Sequence, residues 1–385
     1  MRLAVIGGKL QGTEACYLAG KAGYEVVLVD RKPAPPAAGL ADVQHIFDVT
    51  EDEQRTRTVL QGCDAVLPAC EDDVTLDWLA EHLPGWGIPL LFDLEVYRVT
   101  SSKLRSNELL ARLGVPCPRP WPDCGLPAVC KPSGASGSEG VRVAATEAQV
   151  AEALAELRRQ GHEPVCEEFV AGPSLSLEVV GLGGQQQALL PTALEFDAGY
   201  DCMRVTAPVE APAALLASFA QSSLQVAQAL HLSGVMDVEV MCAGDQAKVI
   251  EVDARLPSQT PAAVYHACDV NIVALLAESF QGGVLPSPDC TPQRAVVYEH
   301  VRIADGALAV CGEHVMATAR PLRLHSGLFG AYEVLTDWHE GATRWVATLI
   351  SRGLDLAEAL AAAADVRAAI TAAYDLQIRG EVGDS

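Results

Sequence analysis

The sequence predicts an α/β protein in which a doubly wound parallel sheet is followed by a smaller unit and a mixed C-terminal part. Two observations lead to this prediction. Short apolar strands alternate with helical segments over the first quarter of the chain, as in parallel sheets with crossover helices. Further along, two short strands flank a turn at Gly244-Asp245 and carry acidic residues at alternating positions.

Composition narrows the class of protein. The 385 residues are enough for two or three domains with real cores. The net charge of −23 argues against nucleic acid and anionic membranes as partners. No apolar run approaches the ~20 residues of a membrane span, and the N-terminus enters a strand without a signal-peptide layout. We therefore expect a cytoplasmic enzyme.

The twelve cysteines have neither C-x-x-C spacing nor the Cys/His quartet of a zinc finger. Several lie inside apolar runs, among them Cys16, Cys63, Cys130 and Cys166. We expect reduced, mostly buried thiols, as in cytoplasmic proteins.

The N-terminal sheet is predicted from five strands, at residues 3–6, 25–29, 45–49, 64–68 and 90–93, with a helix at 13–22 after a Gly-Gly turn. In such sheets, ligands bind beyond the carboxyl ends of the strands. Four polar residues occupy these ends, namely Lys9, Asp30, Asp48 and Glu71. They are candidate ligand-binding residues.

A helix is predicted from Thr100 or Ser101 to Gly114, which precedes Pro116. Lys103 falls in its first turn, where a cation opposes the helix dipole. We therefore expect another group to compensate the Lys103 charge.

The next unit begins with a strand at 128–131 that ends in Lys131, followed by the loop P-S-G-A-S-G-S-E-G. A loop rich in N–H and hydroxyl donors after a strand lysine is similar to a phosphate cradle, although such loops are more often only flexible. Further strands are predicted at 141–143, 164–170 and 174–180, and helices at 147–160 and 215–230. Residues 291–340 are expected to be mostly β, and 343–374 an Ala-rich helix.

The acidic hairpin is the most informative segment. If its strands pair, the carboxylates of Asp237, Glu239, Glu251 and Asp253 meet on one surface, because side chains alternate along a strand. Like charges facing each other are destabilising. A divalent cation such as Mg²⁺ bound between the carboxylates makes their proximity favourable. Arg255 projects to the same side. A metal site beside an Arg guanidinium, which can bond two phosphate oxygens at once, indicates phosphoryl-transfer chemistry.

The alternative is a solvated acidic face, which is common in acidic proteins. We favour the metal site because apolar residues alternate with the carboxylates and are expected to bury the opposite face of the hairpin. They are Val238, Val240, Ile250 and Val252.

The order of these features resembles the ATP-grasp superfamily, over roughly residues 1–290. The matching features are a helix-start lysine, a strand lysine before a Gly/Ser lid, an E-E hinge with a later S-x-E, a strand Asp, and E-x-D-x-R. The resemblance implies an N-terminal domain at 1–97, an ATP-grasp domain at 98–290 with a mobile lid at about 126–182, and a small C-terminal domain at 291–385 with the Ala-rich helix.

A narrower resemblance rests on longer motifs. G-G-K-L-Q-G, Y-D-C, G-V-M-D-V-E, I-E-V-D-A-R-L-P-S-Q-T-P and V-Y-E-H look like the ligase family of pyrrolysine biosynthesis. Members of that family join 3-methylornithine, activated by ATP as an acyl phosphate, to the ε-amine of L-lysine. The resemblance therefore implies an amide-forming ligase with ATP and Mg²⁺ as cofactors and two amino-acid substrates.

The family resemblance also implies roles for particular residues. Arg255 and Lys131 would be catalytic, and Asp237, Glu251 and Asp253 would hold Mg²⁺. The nucleotide would be bound by Lys9, Asp30, Asp48, Lys103, Lys131, Ser133, Ser138, Glu167, Glu168, Phe169, Val170 and Glu178, with the adenine at residues 167–170. The two amino acids would be bound by Leu10, Gln11 and Glu71 for lysine, and by Tyr200, Asp201, Arg255, Ser258, Gln259, Thr260 and His300.

Three other interpretations stay open. A nicotinamide oxidoreductase would use Asp30 on a ribose, but it leaves the lid, the hinge and the acidic hairpin unexplained. A non-catalytic amino-acid-binding protein would be expected to lack Arg255 or a metal carboxylate. Another ATP-grasp ligase acting on different amino acids would share every feature above. The sequence also leaves a homodimer open beside a monomer.

Overall fold

A computed structural model describes residues 1–135 and 137–379. Its N-terminal part is a four-stranded parallel sheet of order β3-β2-β1-β4. The elements are β1 (Arg2–Ile6), α1 (Leu10–Lys21), β2 (Glu25–Asp30), β3 (Val43–Ile46), α2 (Glu53–Leu60), β4 (Ala65–Pro68), α3 (Asp73–Trp86) and α4 (Leu94–Thr100). The predicted parallel sheet is confirmed.

Two predicted strands of this sheet differ from the structure. The third strand lies at Val43–Ile46 rather than at 45–49. The predicted fifth strand at 90–93 is wrong, since Leu90 makes only an isolated parallel bridge with Val66. Asp93 instead caps α4, because its carboxylate accepts a hydrogen bond from the backbone N–H of Val96 at 3.1 Å.

The second unit is a small antiparallel sheet of order β6-β5-β7 with a helix packed on it. Its elements are α5 (Lys103–Leu113), β5 (Ala128–Pro132), β6 (Arg142–Ala144), α6 (Glu147–Arg159) and β7 (Pro164–Glu168). The N-cap of α5 is Ser102 rather than Thr100 or Ser101. Thr100 ends α4 instead, and its hydroxyl accepts a hydrogen bond from the N–H of Ala254 at 2.9 Å.

The remaining strands form one large sheet of twelve strands. The first elements are β8 (Ser174–Leu182), β9 (Gln185–Ala188), β10 (Thr192–Phe196), β11 (Cys202–Ala207), α7 (Ala213–Ala229), β12 (Gly234–Ala243), β13 (Gln246–Asp253), α8 (Thr260–Cys268) and α9 (Ile272–Gly282). The last are β14 (Ala295–Ala304), β15 (Ala307–Val310), α10 (His314–Ala317), β16 (Arg323–Ser326), β17 (Glu333–Thr336), β18 (Trp345–Gly353), α11 (Leu356–Tyr374) and β19 (Gln377–Arg379).

The main path of this sheet is β13-β12-β8-β10-β11-β14-β18-β17-β16. Because β11 pairs with β14, the strands after residue 290 extend the same sheet that carries the acidic hairpin. The other predicted boundary, at residue 97, falls inside α4. The division into domains therefore stays a prediction.

The prediction of one helix over residues 343–374 is wrong in its first part. Trp345–Gly353 is a strand that pairs with β14 and β17, and the helix begins only at Leu356, after the N-cap Asp355. The strand contains the β-branched residues Val346, Thr348 and Ile350, which favour extended structure.

All twelve cysteines are free. Within the described residues, no single helix has the length and apolar character to cross a bilayer. By length and composition alone, the pair α8 and α9, bent by 89°, meets that test jointly.

Candidate active site

The acidic hairpin forms as predicted. β12 and β13 pair in antiparallel fashion around Gly244-Asp245, with Asp237 opposite Asp253 and Glu239 opposite Glu251. The prediction that Ile250 buries the opposite face is wrong. A β-bulge after Glu239 makes Ile250 an extra residue, which is only half-buried, and the fully buried Val249 takes its place.

Cations surround the carboxylates of the hairpin. The ammonium of Lys103 lies 2.7 Å from Glu251 Oε1 and donates to the carbonyl of Ala135 at 2.5 Å. Glu251 is therefore the partner expected for a lysine in the first turn of a helix. Burial raises the pKa of Glu251, but the charges of Lys103 and Lys131 outweigh burial and hold it below its ordinary value.

Arg255 joins the hairpin to the N-terminal sheet. Its Nη2 lies 2.9 Å from Asp253 Oδ2, and its Nε lies 2.7 Å from Glu71 Oε1, as an ion pair rather than as an aligned hydrogen bond. Burial raises the pKa of Asp253 to about 7 although Arg255 opposes the shift. Burial likewise raises the pKa of Asp237 to about 6, against a 2.5 Å hydrogen bond from the hydroxyl of Ser176.

Lys131 is buried beside the hinge. Its ammonium lies 2.6 Å from Glu167 Oε1 and donates to the carbonyl of Ile250 at 3.2 Å. Asn107 donates to the other oxygen of Glu167 at 2.9 Å. The two hinge carboxylates therefore point to different partners, because Glu168 lies 2.8 Å from Lys248, whose hydrogen bond lowers the pKa of Glu168.

The hinge continues past β7 into Phe169 and Val170. The backbone N–H of Phe169 donates to the carbonyl of Pro127 at 3.2 Å, and Val170 is buried. These two residues directly follow Glu168, and their assignment to the adenine stays a prediction.

The predicted lid is held at both ends of its described residues, in addition to the bond from Lys103 to Ala135. Ser133 is buried, and its carbonyl accepts from the N–H of Lys103 at 2.9 Å. At the tip, the hydroxyl of Ser138 donates to the carbonyl of Tyr200 at 2.7 Å. Gly137 lies so close to His314 that a Cβ would stand 2.9 Å from its ring. Residue 136 of the lid lies outside the described residues.

A cavity opens beside the hairpin. It is lined by the carboxylates of Asp237, Glu239, Glu251 and Asp253, by Arg255, by the predicted substrate residues Tyr200, Asp201, Ser258, Gln259 and Thr260, and by Glu313. Asp201 lies 2.9 Å from the Nδ1 of His314. The hydroxyl of Ser258 donates to Glu313 at 2.6 Å. We call this space the acidic cavity.

The sequence placed Glu239 on the acidic surface but not among the metal ligands, and it gave no role to Glu313. Glu239 could have been included, because it belongs to the same alternating acidic pattern as Asp237. Glu313 follows β15 in a region without a recognisable motif, and only the fold brings it to the cavity. Burial raises the pKa of both carboxyls, that of Glu239 well above its ordinary value.

The second cavity, of about 480 Å³, lies at the carboxyl ends of the parallel strands. Its lining includes the predicted residues Lys9, Leu10, Gln11, Asp30, Asp48 and Glu71. Gln11 donates to Glu71 Oε1 at 2.7 Å. Lys9, Asp30 and Asp48 therefore lie with the residues predicted for lysine, in a lining that does not include Lys103 or Lys131. We call this space the N-terminal cavity.

Two predicted residues are fully buried beside or behind the site. Glu178 lies opposite Asp237 on β8. Burial and the Asp237 charge raise its pKa to about 8, although the Thr260 hydroxyl is close enough to oppose the shift. His300 lines neither cavity. Its Nδ1 is 2.9 Å from the hydroxyl of Thr348, and burial lowers its pKa to about 3.

The acidic cavity can be tested for its fit to a divalent metal. Within residues 1–135 and 137–379, no three His, Cys, Asp or Glu side chains are placed to hold a metal ion by themselves. Mg²⁺ in phosphoryl-transfer sites takes one or two carboxylates and completes its shell with phosphate oxygens and water. The hairpin carboxylates fit that mode, in which nucleotide phosphates supply the remaining ligands.

Comparison with known proteins agrees with this geometry. A family model of the ATP-grasp domain matches residues 100–259. The chain is 36% identical over 318 residues to the 3-methyl-D-ornithine–L-lysine ligase of Methanosarcina mazei, with 82% of each chain covered. It is 37% identical over 318 residues to the ligase of the same name from Methanosarcina acetivorans, covering 82% of this chain and 84% of the relative.

A solved structure shows the same fold. An N5-carboxyaminoimidazole ribonucleotide synthetase in complex with ADP matches with a TM-score of 0.71 and 17% identity over 97% of both chains. The fold and the site define an ATP-grasp enzyme, which couples ATP to carboxylate–amine ligation. Within that class, the chain belongs to the family of 3-methyl-D-ornithine–L-lysine ligases.

Proposed function

We propose that this enzyme uses ATP to join the carboxylate of 3-methyl-D-ornithine to the ε-amine of L-lysine, releasing ADP and phosphate, as a step of pyrrolysine biosynthesis. The observation that carries the proposal is the position of Arg255. It lies between the acidic hairpin, through Asp253, and the N-terminal cavity, through Glu71. A carboxylate activated at the hairpin and an amine held in the N-terminal cavity would therefore meet at Arg255.

The nucleotide would lie between the lid and the hairpin. Lys103 and Lys131, now paired with Glu251 and Glu167, would bind its phosphates, and Ser133 and Ser138 of the lid would cover them. The adenine would lie against residues 167–170, with Glu178 near the phosphates. Asp237, Glu251 and Asp253 would supply the one or two carboxylates that hold Mg²⁺ together with the nucleotide phosphates, and Mg²⁺ neutralises phosphate charge during transfer.

The acidic cavity suits a diamino acid. Both amines of 3-methylornithine are cationic at neutral pH, and Asp201, Glu239 and Glu313 line the space beside Ser258. The substrate carboxylate would attack the γ-phosphate of ATP and form an acyl phosphate. Arg255 would stabilise that group and the oxyanion of the tetrahedral intermediate, because its planar fork can bond two oxygens at once.

The N-terminal cavity suits lysine. Its volume falls in the usual range for small-ligand sites, roughly 300–1,000 Å³. Gln11 and Glu71 would bind the α-amino end together with Leu10, leaving the ε-amine to reach the carbonyl at Arg255. The amine must be neutral to attack, so a nearby carboxylate must take its proton. Lys9, Asp30 and Asp48 would line the entrance, or contact a nucleotide there.

The reaction would take place in the cytoplasm, where ATP is abundant and where free cysteines stay reduced.

Product analysis tests the proposal. The enzyme is incubated with ATP, Mg²⁺ and lysine, and with either 3-methyl-D-ornithine or D-ornithine, and the products are identified by mass spectrometry. We expect an amide that forms only with both amino acids, with one ADP and one phosphate per bond. The variant Arg255→Lys keeps the positive charge but loses the planar guanidinium that bonds two oxygens at once. It should make no amide. AMP with pyrophosphate, or ADP release that does not depend on the ornithine substrate, would contradict the proposal.

A further inference from the structure

The backbone turn that carries Ser258, Gln259 and Thr260 is strained. Gln259 has φ 72° and ψ −57°, and the N–H of Thr260 donates to the carbonyl of Ser258 at 2.9 Å. These values describe a γ-turn, which is rare for a residue other than glycine. Strain of this kind persists only where the surroundings hold it. The turn lines the acidic cavity, so whatever holds it also shapes the binding site.

The group that holds the turn comes from another part of the chain. Glu14 of α1 is 1% exposed, and its Oε1 accepts a hydrogen bond from the N–H of Ala262 at 2.6 Å. The backbone N–H of Gln259 also lies close enough to this carboxyl to lower its pKa. The side chain of Gln259 makes no capping hydrogen bond of its own. Glu14 therefore caps α8 in place of the N-cap residue.

The desolvation of Glu14 agrees with this role. Burial raises the pKa of Glu14 to about 8, and the two backbone N–H groups of Ala262 and Gln259 oppose the shift. A buried carboxyl is costly unless it is hydrogen-bonded. The contacts with α8 therefore offset the cost of burying this carboxyl, and they connect α1 to the start of α8.

The same helix also carries part of the N-terminal cavity. Leu10 and Gln11 stand four and three residues before Glu14, so all three lie on one face of α1. Leu10 and Gln11 line the N-terminal cavity, whereas Glu14 reaches the turn of the acidic cavity. One rigid helix thus fixes the distance between the two spaces.

We infer that Glu14 is a positioning residue that holds the strained Ser258–Thr260 turn in its binding conformation. It also fixes the position of this turn relative to Leu10 and Gln11, the residues that would bind the substrate lysine. Glu14 itself lines neither cavity. The inference rests on the proposed function for the identity of the amino acid in the acidic cavity. It adds a residue of α1 to the determinants of that substrate's affinity.

Steady-state kinetics test the inference with three variants. Glu14→Ala removes the acceptor, and Glu14→Asp withdraws it by one methylene. Both should raise the KM for 3-methyl-D-ornithine about tenfold or more, with the KM for ATP changed less than about twofold, since a buried N–H left without its acceptor is worth roughly that factor. Glu14→Gln keeps an oxygen acceptor and should restore the KM to within about threefold of wild type.

Asn271→Ala is the matched control. Asn271 caps the next helix, α9, by accepting from the N–H of Ala274 at 3.1 Å, and it also donates to the carbonyl of Leu18 of α1 at 2.7 Å. Its loss should lower thermal stability while leaving the KM for 3-methyl-D-ornithine unchanged. The inference is overturned if Glu14→Ala and Glu14→Asp leave that KM unchanged, if the KM for ATP rises equally, or if Glu14→Gln fails to restore it.

Amide hydrogen exchange separates this inference from the proposed function. Exchange of the amides of Gln259, Thr260 and Ala262 should accelerate about tenfold or more in Glu14→Asp and not in Asn271→Ala, whatever the substrate is. Unchanged exchange in Glu14→Asp would overturn the inference. Wild-type enzyme that makes no amide would instead contradict the proposed function.

Discussion

The Nε of Arg255 lies 2.7 Å from Oε1 of Glu71. The two residues follow strands of different sheets. Glu71 follows β4 of the parallel sheet, and Arg255 follows β13 of the acidic hairpin. Because Glu71 also accepts from Gln11 at 2.7 Å, this carboxylate is shared between the residue that would bind lysine and the residue that would stabilise the acyl phosphate.

Glu71→Ala should raise the KM for lysine about tenfold to a hundredfold and the KM for ATP by less than about threefold, since a bond to a charged group is worth roughly 1.5–3 kcal/mol. The physical reason is that Glu71 contacts the amine side of the site and is remote from Lys103 and Lys131. Steady-state kinetics with each substrate varied in turn measure this. Equal increases in both KM values would show that Glu71 acts through the whole site.

Glu251→Gln and Glu239→Gln should change stability in opposite directions in metal-free buffer. Glu251 is paired with Lys103, so its loss leaves a half-buried ammonium unpaired and should cost about 2 kcal/mol. Glu239 faces Glu251. Its pKa is raised by burial and by the charges of Asp237 and Glu251. Its neutralisation should stabilise the protein by about 1 kcal/mol. Urea unfolding with EDTA measures both variants.

Turnover provides the second half of this comparison. Glu251→Gln, like Asp253→Asn, should abolish amide formation because each removes a carboxylate proposed for Mg²⁺. Full activity in either variant would refute the metal assignment. If Glu239→Gln were less stable than wild type, the proposed repulsion between Glu239 and its acidic neighbours would be refuted.

The lid should be cleaved by proteases within residues 133–140 in the free enzyme and be protected by Mg²⁺ with ATP. The glycines at 134, 137 and 140 let the loop move, and closure over the phosphates excludes water. Ser138→Ala is the matched variant. It loses the hydrogen bond to the carbonyl of Tyr200 and should be cleaved faster without nucleotide. The same cleavage rate with and without nucleotide would contradict a closing lid.

His300 should contribute a pH-dependent part of the stability. Its pKa in the folded protein is lowered by burial to about 3, from an ordinary value of 6.5. The unfolded chain therefore binds an extra proton as pH falls below 6.5, and stability present above that pH is lost towards pH 3. Between pH 7 and pH 5 the loss should be about 2 kcal/mol.

The variant His300→Gln isolates that contribution. Its free energy of unfolding should fall by about 2 kcal/mol less than that of wild type over the same interval. Parallel curves for the two proteins would show that the pKa of His300 is not lowered in the folded protein.

Local patterns predicted much of the site. The alternation of Asp237, Glu239, Glu251 and Asp253 predicted their pairing, because strand periodicity and the Gly244 turn leave few other registers. The misplaced charge of Lys103 predicted a partner, which is Glu251. The errors came where tertiary contacts override local preference. The bulge at Ile250 and the strand at Trp345–Gly353 depend on neighbouring strands, which the sequence does not reveal by itself.

Long-range partners lay beyond sequence reasoning. Glu313 reaches the acidic cavity from the C-terminal part of the large sheet, and Glu14 reaches the start of α8 from α1, which lies 248 residues away in sequence. Neither residue lies in a motif that specifies its partner. Their roles depend on how the sheets pack together, and that arrangement is visible only in three dimensions.

Isotope transfer from the carboxylate of 3-methyl-D-ornithine to phosphate is the most direct test of the central claim. If ATP activates that carboxylate as an acyl phosphate and the ε-amine of lysine displaces phosphate, substrate labelled with ¹⁸O in its carboxylate must give phosphate that contains one ¹⁸O atom. The amide must carry ¹⁵N when lysine is labelled at the ε-nitrogen. We predict both labels in the products. Unlabelled phosphate, or ¹⁵N found only in a free ε-amine, would contradict the account.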